Sequence, residues 1–111
     1  MKEKYKNAGL NLELIEEAFP DLEEYEEALV YYLSDEHFDE LGEFIKDEDY
    51  GMVKDTVKGL FLLAQDLRVY PLYEALLEIY EDLTYETYDE MPKHYQEMKK
   101  VYRKIKNVFI S

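Results

Sequence analysis

The stretch Val53-Lys54-Asp55-Thr56-Val57-Lys58-Gly59-Leu60-Phe61-Leu62-Leu63-Ala64-Gln65 decides the fold. Tyr50, Val53, Val57, Leu60, Ala64 and Leu67 recur at steps of three and four residues. That spacing sets them on one side of an α-helix, facing a core. Asp55, Lys58, Gly59, Leu62 and Asp66 fall on the opposite side. This second face combines a lone acid, a lone base, a mid-helix glycine and a large apolar residue that the core pattern does not use. Glycine is locally unfavourable inside a helix, so its presence asks for a reason.

Outward from this helix the same period continues in both directions. Leu12, Ile15 and Phe19 mark a short helix over Leu10 to Ala18. Leu22, Tyr25, Leu29 and Tyr32 mark a second, from about Asp21 to Leu33, with Pro20 suited to its first turn. Ser34 is a candidate N-cap for a third helix, Asp35 to about Lys46, built on Phe38, Leu41 and Ile45. Asp49 is placed to cap the helix that carries Asp55, which should end between Gln65 and Arg68. Pro71 opens a fifth helix with Val69, Leu72, Leu76, Ile79 and Leu83 as its seam. Tyr88, Met91, Tyr95, Met98, Tyr102, Ile105 and Phe109 form a heptad seam on the last helix, which begins near Met91.

Residues 1–9 read as a frayed lead-in ended by Gly9. No alternating Val/Ile/Thr run and no Asn-Gly or Asp-Gly turn competes with the helical pattern. The expectation is one all-α domain over residues 1–111. Its architecture is an antiparallel four-helix bundle with one or two short N-terminal helices packed against it.

Composition narrows the function. The chain of 111 residues has no cysteine, which excludes disulfides and thiolate zinc sites. The longest apolar run, Leu60 to Ala64, is far short of a membrane span. Residues 1–6 show no apolar signal segment, so a cytoplasmic location is expected. Net charge is -14, and residues 8–50 hold 16 acids against 1 base. Repulsion from phosphates therefore argues against nucleic acid as a partner. Residues 93–111 are basic, with 6 bases and 1 acid, and can pair with the acidic helices. The 12 tyrosines sit largely on seam positions, as in a core whose hydroxyls reach its rim.

The second face of the central helix resembles the motif of histidine-containing phosphotransfer (HPt) domains, His-x-Leu-Lys-Gly. Asp55-Thr56-Val57-Lys58-Gly59 stands in that register. Lys58 and Gly59 match, Val57 stands for the Leu, and Asp55 stands where the family carries its phospho-accepting His. The likeness covers roughly residues 20–109, because HPt domains are antiparallel four-helix bundles with the motif on the second bundle helix. Leu60 and Phe61 replace the small residues that usually follow Lys-Gly, Gln65 replaces the glycine that ends the motif helix, and the approach to the motif is shorter.

The resemblance implies a two-component phosphorelay protein that binds response-regulator receiver domains without carrying a phosphohistidine. In the family the Lys lies near the phosphoryl site and the Gly lets the partner approach closely. Leu62 would be the apolar anchor of that surface, with Asp55, Lys58 and Asp66 as its polar rim. The competing reading has Gly59 admitting a neighbouring helix, Leu62 as an ordinary surface leucine, and the chain as an interaction or scaffold bundle unrelated to phosphorelay. Asp55 lacks the flanking acid pair that holds Mg²⁺ in receiver domains, and its spacing to Lys58 fits a surface ion pair. Phosphotransfer through His37 or His94 is a minor alternative, since neither precedes a Lys-Gly pair. An enzyme is not expected. No Gly-rich phosphate loop is present, and the residues three before His37 and His94 are Ser34 and Met91, so no Glu-x-x-His metal pair exists. No cofactor or metal is expected, and the chain is expected to be a monomer, although the Tyr/Met seam suits a dimer as well as a core.

Overall fold

The computed structural model describes residues 2–110. Over these residues the chain forms seven α-helices and one 3-10 turn, with no strand. The helices are α1 (Glu3–Asn7), α2 (Leu12–Ala18), α3 (Leu22–Leu33), α4 (His37–Lys46), α5 (Tyr50–Asp66), α6 (Tyr70–Thr84) and α7 (Met91–Phe109). The 3-10 turn, Tyr88–Glu90, leads directly into α7. The all-α class is as the periodicity predicts. Among the described residues no helix is long and apolar enough to cross a membrane.

The central helix α5 buries Val53, Val57, Leu60 and Ala64, the face its spacing assigned to the core. It packs between α4 and α6; α6 packs on α7, and α7 closes back onto α4. Leu41, Leu72, Leu76, Ile79, Met91, Met98 and Ile105 fill the space between them at zero exposure. Each such side chain contributes about 1.5–3 kcal/mol relative to an exposed position. The seam of α7 is thus used inside the chain: Met91, Met98, Tyr102 and Ile105 are all buried.

The N-terminal segment differs from the expected frayed lead-in. Residues 3–7 form α1, and Tyr5 is 1% exposed. Its ring packs edge-on to Phe109, 5.3 Å between centroids, and its hydroxyl donates to Glu26. A five-residue helix cannot stand alone, since nucleation outweighs so few hydrogen bonds. Burial of Tyr5, Ala8 and Leu10 holds it. Met1 and Ser111, part of the expected single domain, lie outside the described residues.

Two cap assignments also differ. Ser34 does not cap α4; its hydroxyl donates to the Val30 carbonyl at 2.8 Å and closes α3. Asp35 instead accepts from the His37 amide at 2.8 Å. Pro20 lies before the helix rather than in its first turn, and Asp21 caps α3 by accepting from the Glu23 and Glu24 amides. Asp49 caps α5 as expected, accepting from the Met52 amide.

The corners after α4, α5 and α6 share one geometry. Glu48, Arg68 and Glu86 adopt φ of 56°, 61° and 59°, the left-handed region. The next amide then returns to a carbonyl five residues earlier: Asp49 to Phe44, Val69 to Ala64 and Thr87 to Asp82. This is the hydrogen bond of a Schellman ending, here without glycine. Asp49 and Val69 are also the residues that open the following helix, so each of these two turns takes only three residues.

Four seam tyrosines give their hydroxyls to backbone carbonyls, while Tyr88 stays exposed. Tyr25 donates to the Leu67 carbonyl at 2.7 Å, Tyr32 to Leu60 at 2.6 Å, Tyr95 to Phe38 at 2.9 Å, and Tyr102 to Leu33. Burial pushes the Tyr25 and Tyr32 phenols well above their ordinary values, and nearby carboxylates add to it. They remain neutral donors at any physiological pH.

Candidate functional site

Every residue of the predicted α5 face is exposed: Asp55, Lys58, Gly59, Leu62 and Asp66. Helical geometry brings them onto one stripe of α5. At Gly59 a Cβ would meet no atom within 4 Å, so no neighbouring helix of this chain explains the glycine. The internal-packing reason considered for Gly59 is therefore overturned. The Asp55–Lys58 ion pair expected from spacing is not made.

Two further apolar side chains share the stripe. Met52 is 42% exposed and Leu63 46%, beside Leu62 at 44%. They lie seven residues before and four after Gly59, a spacing readable in the sequence. The result is a flat glycine patch with large apolar groups on three sides and Asp55, Lys58 and Asp66 among them. A shallow groove opens beside it, with Met52, Asp55, Gly59 and Leu63 on one wall and Asp35 and His37 on the other.

His37 is well exposed, and carboxylates flank both ring nitrogens. Nδ1 lies 2.5 Å from Asp35 and Nε2 3.7 Å from Glu40. The Asp35 hydrogen bond holds its pKa above the ordinary histidine value. A phosphoryl group on either nitrogen would bring negative charge against an acid. His94 is more enclosed. Its Nδ1 lies 2.6 Å from the buried Asp82 carboxylate, which raises its pKa, and its Nε2 lies 3.8 Å from Glu78.

A third feature escaped sequence reasoning. Tyr95 of α7 crosses α4 directly over Gly42, where a Cβ would stand 2.6–2.8 Å from the ring end. Beside it Lys99, almost fully buried, ion-pairs with Asp39. Asp39, Gly42, Tyr95 and Lys99 line a groove between α4 and α7.

The separation of roles between the two glycines is plain in this geometry: Gly42 serves a contact inside the chain, and Gly59 faces solvent. Set against known proteins, the chain matches no family model, no curated protein and no solved structure.

Proposed function

We propose that the chain is an HPt-like module that binds a response-regulator receiver domain through α5 and transfers no phosphoryl group. One observation carries the reading: Gly59 leaves a bare patch of helix backbone at the centre of an exposed apolar stripe. Glycine there costs stability and returns none within the chain. A partner that seats a helix or loop against the patch gives it a use. Met52, Leu62 and Leu63 supply the apolar contact, and Asp55, Lys58 and Asp66 the polar rim, as in a small transient interface.

The architecture of this reading is an antiparallel four-helix bundle of α4 to α7. It is supported by the ring of contacts from α4 through α5, α6 and α7 back to α4, joined by short turns. The N-terminal additions are then three helices rather than one or two. The module acts by binding and as a competitor or holder of its partner. The carboxylate of Asp55 cannot replace the imidazole of a relay protein. The acids around His37 and His94 disfavour either ring as a substitute.

The test is titration of the purified protein against a panel of receiver domains, with and without beryllofluoride as phosphoryl mimic. Saturable binding on the order of micromolar is expected, weakened at least about tenfold by Leu62→Arg and by Lys58→Glu. Binding that ignores both substitutions, or no binding across the panel, overturns the reading and leaves an interaction bundle unrelated to phosphorelay.

A further inference from the structure

Four side chains meet where the last turns of α6 face the first turns of α7. Glu78 and Asp82 are one helical turn apart on α6, and His94 and Glu97 share a face of α7. Asp82 is 4% exposed, and both its oxygens are taken. One accepts from the Thr87 hydroxyl at 2.6 Å and the other from His94 Nδ1 at 2.6 Å. That second bond fixes the tautomer: Nδ1 carries the hydrogen, and the Nε2 lone pair is turned the other way.

Beyond Asp82, two more carboxylates stand close to the His94 ring. Glu78 Oε2 is 3.8 Å from Nε2, and one atom each of Glu78, His94 and Glu97 lie within 4.8 Å of one another. Among the described residues no lysine or arginine pairs with Glu78 or Glu97. When His94 is neutral, an imidazole lone pair and two carboxylates thus converge, and a cation satisfies all three.

We infer that Glu78, His94 and Glu97 form a binding site for one divalent transition-metal ion of the Zn²⁺ class, with Asp82 as the positioning residue behind His94. The nitrogen donor selects against Mg²⁺ and Ca²⁺, which take oxygen ligands. Zn²⁺ bonds to nitrogen and carboxylate oxygen of about 2.0–2.2 Å put tetrahedral donors about 3.3–3.6 Å apart. Two exposed glutamates reach that spacing by small rotamer changes, while the buried Asp82–His94 pair stays in place. The fourth position faces solvent and takes water. Glu-x-x-His order is absent from the chain, yet the reversed His94-x-x-Glu97 puts the same two ligands on one helix face. The ion would bridge α6 and α7 across the Tyr85–Glu90 connection.

The experiment is calorimetric titration of the metal-free full chain with ZnCl₂, with His94→Gln, Glu97→Gln, Asp82→Asn and Glu74→Gln in parallel. One site per chain is expected. His94→Gln and Glu97→Gln should each weaken it at least about tenfold, and Asp82→Asn about 10–100-fold. Glu74→Gln, an exposed acid one turn before Glu78, should leave it unchanged. In parallel NMR spectra Zn²⁺ should shift the His94 ring signals and leave those of His37. Glu97 is exposed, so its substitution tests the site even where a change at Asp82 disturbs folding. No binding, equal binding of Mg²⁺, several weak sites indifferent to Glu97→Gln, or unmoved His94 signals would each show that a proton alone occupies Nε2.

Discussion

A glycine inside a helix costs about 0.5–1 kcal/mol relative to alanine, so each one should have a counterpart in space. Gly42 has one. The Tyr95 ring lies where its Cβ would be, and that approach lets the hydroxyl reach the Phe38 carbonyl. Gly59 has none within the chain. The two should therefore respond with opposite sign. Gly59→Ala is expected to raise stability by about 0.5–1 kcal/mol. Gly42→Ala is expected to lower it by roughly 1 kcal/mol, because displacing Tyr95 outweighs the gain in helix propensity. Urea midpoints of the two variants measure this directly. A loss at Gly59 would mean that something packs on it. In the sequence both glycines sit mid-helix and look alike. Only the position of Tyr95, far along the chain, separates them, and no local pattern carries that information.

At the scale of the element, the periodicity of three and four located six helices, because amphipathic spacing survives whatever the packing partner is. It missed α1, whose five residues are too few to show a period and which exists only through Tyr5. It also missed how α4, α5 and α6 end, since Glu48, Arg68 and Glu86 give no glycine signal. The tyrosines take over part of that ending. Leu67 and Leu33 stand at the C-termini of α5 and α3, where carbonyls have no partner in their own helix. Tyr25 and Tyr102 supply those partners from other helices. Leu60, by contrast, lies mid-helix, where the helix itself provides a donor. Tyr25→Phe is thus expected to cost about 1–3 kcal/mol, the penalty of an orphaned buried carbonyl. Tyr32→Phe should cost less, about 0.5–1.5 kcal/mol. Thermal unfolding of the two variants should rank them in that order.

Across the whole molecule, charge organises the contacts between chain segments. The acidic middle meets bases from both sides: Lys4 of α1 pairs with Glu26 of α3, and Lys99 of α7 with Asp39 of α4. Among the described residues of the basic C-terminal stretch, Lys99 alone makes such a pair. Its hydrogen bond holds the Asp39 carboxyl below the ordinary 3.8. Burial pushes Glu26 up, but the hydrogen bonds from Lys4 and Tyr5 outweigh it and leave the carboxyl low. A depressed folded pKa adds stability above the unfolded value, and that contribution is lost as pH falls through the folded one. The stability difference between the parent and Asp39→Asn should therefore be constant above about pH 5 and shrink toward zero well below 3.8. Denaturant titrations at stepped pH would show it, and a difference that grew on acidification would contradict the pairing. The stripe around Gly59 was largely legible in the sequence, because one helix presents it. The His94 cluster was not, because its ligands come from two helices and its anchor, Asp82, looks in the sequence like any other acid. The tyrosine bonds also tie together segments far apart in sequence. The Leu33 carbonyl at the end of α3 takes its side-chain donor from Tyr102 of α7, so that helix end has its full set of protein partners only when α7 is docked. The end of one helix is thus completed by a residue of another, and local structure alone does not supply it.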